Sequence, residues 1–225
     1  LSENQFSPFA LYQRDGVDSL LRGITIQPSQ KFDRFFSDQL TNHLFAGKNP
    51  FGMDLVALNL QRGRDHGLPS YNEWRQICEK PKANTFEDLL DVMDVGVMNR
   101  LKSLYVDVND IDLFIGGIAE TPVAGSLLGH TFLCIVGDQF ARLRLGDRFY
   151  YENGGLESSF TEAQLEQIRQ TSLARVMCDN SDDLAVMQPL AFVQAHLANM
   201  RASCKVGNLI PKVSLLPWRN EPVWA

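Results

Sequence analysis

LNLQRGRDHGLPSYNEWR, residues 58–75, concentrates more polar chemistry than any other stretch of the chain. Asn59, Gln61, Arg62, Arg64, Asp65 and His66 stand between an apolar approach, Met53 to Leu58, and a helix start at Ser70. Two arginines beside a carboxylate and an imidazole suit bidentate anion binding or a buried ion-pair network. The same residues would equally serve a solvated, salt-bridged helix end. The string runs Arg-Gly-Arg-Asp, so an Arg-Gly-Asp adhesion motif fails by one residue.

Outward from this cluster the periodicity is helical. Ser70 followed by Glu73 reads as a capping box that opens a helix through Trp74 and Ile77 to Cys78. Thr85 with Asp88 opens another through Leu89, Leu90, Val92 and Met93, and Thr161 with Gln164 a third before Leu165 and Ile168. In PSQKFDRFFSDQLTNHLFAG, Phe32, Phe36, Leu40 and Leu44 recur every four residues, with Phe35 widening the stripe. Pro28 and Gly47 punctuate it, so a helix is expected over 28–47. Residues 126–144 are apolar around most of a helical circumference, which predicts a buried helix. Leu113 to Ile115 is ambiguous between strand and helix. DVNDID (107–112) alternates acidic residues but lacks the glycine and final glutamate of an EF-hand, and reads as a polar lead-in. The tail after residue 205, with Pro211, Pro217 and Pro222, is expected to wrap irregularly over the surface. The fold class expected is mainly α, in one domain or part of one.

Composition narrows the function. The 225 residues are 44% hydrophobic with 14 Phe, enough for a packed core and against global disorder. A net charge of -6 argues against nucleic acid. No apolar run reaches the roughly 18 residues of a membrane span. The first residues carry no signal-peptide pattern and no initiator Met, so residue 1 is not expected to be the natural start. Cys78, Cys134, Cys178 and Cys204 form no C-x-x-C pair. They suit two disulfides in an oxidising compartment, or four reduced core thiols in the cytosol.

The 58–75 stretch resembles the signature of the animal haem peroxidases, the myeloperoxidase and peroxidasin group. DGVDSLLRGI (15–24), DIDLFIGGIAE (110–120), GDQFARLRLGDRFYYEN (137–153) and RVMCDN (175–180) resemble further blocks of that family in the same order. The resemblance covers nearly the whole chain, and its wording is most similar to secreted insect members. It implies that residues 1–225 are the C-terminal part of a single, all-helical peroxidase domain. Asn59 corresponds to the family's acceptor for the N–H of the iron-bound histidine, where an amide oxygen fixes the tautomer. Arg62 corresponds to the partner of a haem propionate, a role suited to a guanidinium fork. One helical turn separates the two, so both can face one cofactor. Leu55, Leu58 and Phe45 correspond to apolar walls of the haem pocket.

By the same resemblance the distal histidine, distal arginine, proximal histidine, ester-linked acids and a Ca2+ site lie upstream of residue 1. No catalytic residue and no metal ligand is therefore expected in this chain. His43, His66, His130 and His196 are read as hydrogen-bonded structural residues. The implied activity is H2O2-driven oxidation of phenolic, tyrosyl or halide donors by the whole secreted protein, with a part in the oxidative stress response. The implied partner is the N-terminal part of the same domain, and this chain alone is expected to be inactive. A non-catalytic matrix or adhesion protein on the same scaffold, or a helical interaction domain without cofactor, are the rival readings. The family blocks also imply the pairings Cys78–Cys134 and Cys178–Cys204.

Overall fold

The computed structural model of the chain describes residues 2 and 4–221. Among the described residues about 46% are helical and the one sheet has two strands, so the fold is mainly α. It divides into two compact units, Leu1–Phe6 with Lys31–Gly146 and Ser7–Gln30 with Asp147–Ala225.

The first unit holds α2 (Asp38–Thr41), α3 (Leu55–Asp65), α4 (Tyr71–Ile77), α5 (Val95–Leu104), α6 (Leu113–Ala119) and α7 (His130–Gly146). Its core gathers Tyr71, Phe86, Leu89, Met93, Val97, Leu101 and Ile111. Ser70 caps α4 by accepting the Glu73 N–H at 3.4 Å. Glu73 does not return the favour. Its carboxylate pairs with Lys82, so only half of the expected box forms. Thr85 and Asp88 complete theirs, but on a 3₁₀ turn, Phe86–Asp91, rather than an α-helix.

At the centre of this unit Glu120 is buried and accepts three hydrogen bonds. They come from the Tyr71 hydroxyl at 2.7 Å, the Thr131 N–H at 2.8 Å and the Thr131 hydroxyl at 2.6 Å. The carboxylate thus ties α4 and α7 to the end of α6. Burial, and then the charge of Glu120, push the Tyr71 phenol far above its usual range. Gly116 and Gly117 allow the approach of α6. A Cβ on Gly116 would lie 2.1 Å from Tyr71 Cγ, and one on Gly117 2.4 Å from Phe132 Cε1. The Cys78–Cys134 disulfide, across a separation of 56 positions, fastens α4 to α7 a second time. This is the pairing that the family blocks imply.

The second unit holds α1 (Gly16–Ile26), α8 (Glu162–Arg169), α9 (Leu173–Asn180) and strands β1 (Val186–Met187) and β2 (Ala202–Ser203). The strands pair antiparallel, Val186 with Ser203 and Met187 with Ala202. The buried Asp18 of α1 accepts the N–H groups of Asp182 and Asp183, at 3.2 and 2.6 Å. Thr161 and Gln164 form a complete capping box on α8. Cys178 is joined to Cys204. Arg175 grips Asp179 bidentately and donates to the Cys204 carbonyl at 2.8 Å. The tail is irregular through residue 221, with one 3₁₀ turn at Leu216–Trp218, and Pro222 lies outside the described residues.

Two expectations are corrected. The helix over 28–47 shrinks to α2, capped by Ser37. Asp33 takes the Phe35 N–H at 2.8 Å and holds the preceding chain in a turn. Beyond α2, Leu44 bridges to Met53 instead, and Phe45 adopts a positive φ of 57°. Residues 126–144 are helical only from His130. Of α7's residues Thr131 alone is buried, while Phe140, Leu143 and Leu145 are 57–85% exposed. The apolar circumference predicted the helix correctly and its burial wrongly, because α6 packs against the beginning of α7 only. Leu113 to Ile115, ambiguous between strand and helix, opens the helix Leu113–Ala119.

Candidate functional site

The signature begins on α3. Asp54 caps it by accepting the Val56 and Ala57 N–H groups at 2.8 and 3.2 Å. His66 closes it, and Gly67 leaves it at a φ of 64°. No residue of α3 is buried. Leu55, Leu58, Asn59 and Arg62 follow one another at spacings of three, one and three, so they share a face. Leu55, Leu58 and Asn59 are half-buried and Arg62 is exposed. Among the described residues, Asn59 and Arg62 have no side-chain hydrogen bond or ion pair.

Asn59, Arg62 and His66 border a cavity of about 810 Å³, whose apolar wall includes Phe114 of α6 and Phe132 of α7. The expected site residues therefore separate. Asn59 and Arg62 reach the cavity. Leu55 and Leu58 stand on the adjoining part of the helix face without lining it. Phe45 is elsewhere, 48% exposed, with its ring 5.8 Å from that of Phe6.

The other histidines are occupied locally. His43 Nε2 lies 3.1 Å from Asp38, just beyond α2 rather than on the expected helix. His130 Nε2 lies 2.7 Å from the Cys78 carbonyl, and His196 Nδ1 accepts the Ala198 N–H at 3.2 Å. DVNDID forms a 3₁₀ turn, Val108–Asp110, boxed by Asp107 and Asp110. Among the described residues no group of three or more His, Cys, Asp or Glu side chains is arranged to hold a metal ion. No helix among them is long and apolar enough to cross a membrane.

One constellation was not foreseen. Arg64, two residues after Arg62, reaches Asp112 at the start of α6 with both prongs of its guanidinium. Nε donates to Oδ1 at 2.9 Å and Nη2 to Oδ2 at 2.7 Å. The Tyr105 hydroxyl donates to the same Oδ2 at 2.8 Å. The Arg64 hydrogen bonds hold the Asp112 carboxyl below its usual range, against the opposing effect of burial. Burial, then Asp112, push the Tyr105 phenol up to about 12. The second arginine of the signature is thus an ion-pair residue, but its carboxylate is 48 positions away rather than at neighbouring Asp65. The signal available in the sequence was the acid preceding LFIGG, which looks like an ordinary helix cap.

A family profile described as animal haem peroxidase matches residues 1–192. A peroxidase of Drosophila melanogaster is 43% identical over 211 residues, covering 94% of this chain and 30% of that protein. The chorion peroxidase of the same organism is 43% identical over 219 residues, covering 95% of this chain and 26% of the relative. Among solved structures, peroxidase A from Dictyostelium discoideum superposes with a TM-score of 0.65 at 37% identity, over 79% of this chain and 33% of that one. The chain thus spans about a third or less of the length of these relatives. It belongs to the animal haem peroxidase family.

Proposed function

We propose that this chain is the C-terminal part of one peroxidase domain and supplies the proximal back wall of its haem site. The observation that carries this reading is the pair Asn59 and Arg62, one turn apart on α3 at the cavity edge and unengaged by other described side chains. An amide and a guanidinium left unpaired beside apolar walls fit a flat apolar cofactor that carries carboxylates. Bound haem would supply the redox chemistry by which peroxide is reduced and a donor oxidised. Asn59 would accept the N–H of the iron-bound imidazole and fix its tautomer. Arg62 would neutralise a propionate with a fork that lysine lacks. Phe114 and Phe132 would keep water from that side, with Leu55 and Leu58 packing on the adjoining face of α3.

The iron ligand, the distal acid–base pair, any ester links to haem and a Ca2+ site would come from the N-terminal part of the domain. The whole protein would then use H2O2 to oxidise a phenolic, tyrosyl or halide donor. The two disulfides and the likeness to a chorion peroxidase support an extracellular setting.

Two preparations test the reading. The chain alone, refolded with hemin, should give neither a peroxidase-type Soret band nor guaiacol turnover. The complete protein should give both. A complete protein that binds haem but shows no peroxide-dependent turnover would favour a scaffold role. Turnover by the isolated chain at the rate of the complete protein would overturn the division of labour.

A further inference from the structure

Residues two apart on an α-helix point to nearly opposite sides. Leu55, Leu58, Asn59 and Arg62 share one face of α3, and Arg64, 200° on from Arg62 at 100° per residue, leaves the helix on the other side while still bordering the cavity. Its guanidinium goes to α6, where Asp112 receives it bidentately and Tyr105 from the end of α5 adds a third hydrogen bond. Asp112 stands at the N-cap of α6 yet makes no side-chain cap there. A carboxylate in that position ordinarily serves its own helix N–H groups. Here both oxygens are turned to Arg64 and Tyr105 instead. The arrangement joins the last turn of α3 to the helix that Gly116 and Gly117 seat against Tyr71 and Phe132. The other end of α3 starts at the Asp54 cap after the Leu44–Met53 bridge and packs against α2.

We infer that Arg64, Asp112 and Tyr105 form a buttress that sets the rotation of α3, and through it the direction in which Asn59 and Arg62 meet the cofactor. All three border the same cavity as Asn59 and Arg62, and the role inferred for them there is positioning through Asn59. A single fork-to-carboxylate pair has one favoured planar geometry, so it fixes rotation about the helix axis as well as distance. A lysine at position 64 would keep the charge and lose the angle. The inference rests on the reading of Asn59 given above.

The test uses the complete, haem-loaded protein. Five variants are compared with the parent: Asn59→Ala, Arg64→Ala, Arg64→Lys, Tyr105→Phe and Asn59→Ala/Arg64→Ala. The readouts are the iron reduction potential, the Soret position and haem retention during gel filtration. Arg64→Ala should move the potential in the same direction as Asn59→Ala and by less, with haem retention falling about tenfold, as for other residues that orient a metal ligand. Arg64→Lys should rescue little of either. The double variant should show no further shift beyond Asn59→Ala, since both changes act through one hydrogen bond. Because Arg64 is largely exposed, the substitution leaves the core intact; Tyr105→Phe, which removes only one hydroxyl, provides a milder second perturbation with a smaller shift of the same sign. If Asn59→Ala moves the potential and neither Arg64 variant nor Tyr105→Phe does, the buttress is refuted while the Asn59 reading stands. If Asn59→Ala itself moves nothing, the site reading fails and the buttress falls with it. Additive shifts in the double variant would also refute the inference, because they would mean that Arg64 acts by its own field.

Discussion

Helix α3 and the α4–α6–α7 platform beneath it are built on opposite plans. On α3 nothing is buried, and its two most informative polar groups have no partner among the described residues. On the platform, Tyr71, Asn72 and Arg75 are buried within a single seven-residue helix, and Asn72 is bonded at both ends of its amide. Buried polar groups need partners, and most on α4 have them: Asn72 bonds Ala83 and Asn109, and Arg75 bonds the Pro81 carbonyl and Asp91, although Trp74 Nε1 and Arg75 Nη1 have none among the described residues. A helix that is to meet something else must leave some of its groups free. The difference separates what holds the fold from what the fold presents, and substitutions in the two places should fail in different ways.

The largest effect should come from cutting the platform's covalent tie. Replacing Cys78 and Cys134 together with alanine opens a loop of 56 positions and should lower unfolding stability by about 4 kcal/mol. Denaturant midpoints would measure it, and a loss below about 1 kcal/mol would show that the hydrogen-bonded clasp suffices alone. Next comes Glu120→Ala, which strands the Tyr71 hydroxyl and both Thr131 donors and should cost about 3 kcal/mol. The same change should leave the Asn59 and Arg62 side chains chemically intact, so the complete protein carrying it, once folded, keeps its haem spectrum.

A smaller effect is expected at the joint between the two regions. Tyr105 ionises near 12 in the folded chain and near 10 when unfolded. Its neutral form is thus the one the fold favours. The stabilisation is fully present below pH 10 and is lost as pH rises toward 12. Tyr71 behaves in the same sense and ionises still higher. Tyr105→Phe should therefore cost about 1 kcal/mol at pH 7 and flatten the early part of the alkaline unfolding curve. An unchanged curve would place the alkaline loss elsewhere. Smallest for stability are Asn59→Ala and Arg62→Ala, expected within about 0.5 kcal/mol for positions outside the core. In the complete protein each should nevertheless lower haem retention or shift the iron potential. A large loss of stability with unaltered haem would dissolve the contrast between presenting and holding.

The sequence made local decisions legible and distant ones not. Ser70, Thr85 and Thr161 declare their helix starts because a cap is a contact between near neighbours. Asn59 and Arg62 are adjacent on one turn and could be paired without knowing the fold. Arg64 and Asp112 could not, since what brings them together is the packing of α6 rather than any spacing. The stripe in 28–47 misled for a related reason. Its period of four is real, but the Asp33 turn, the Ser37 cap and the Leu44–Met53 bridge break the backbone that would have expressed it. In α7 the period gave the helix and overstated its neighbours.

The links between the two stretches run in step. Arg64 reaches Asp112, Tyr71 reaches Glu120 and Cys78 reaches Cys134, each later residue finding a later partner. Residues 64–78 and 112–134 therefore lie side by side like the two tapes of a zip fastener, and residues 79–111 between them fold into the core of the unit. Closing an early tooth brings the next pair within reach, because only the short remainder must then be ordered rather than the whole intervening chain. The sulfur pair is the last tooth. Assembly on this plan is sequential, and an oxidant supplied late would trap molecules already aligned, whereas one supplied early would compete with alignment itself.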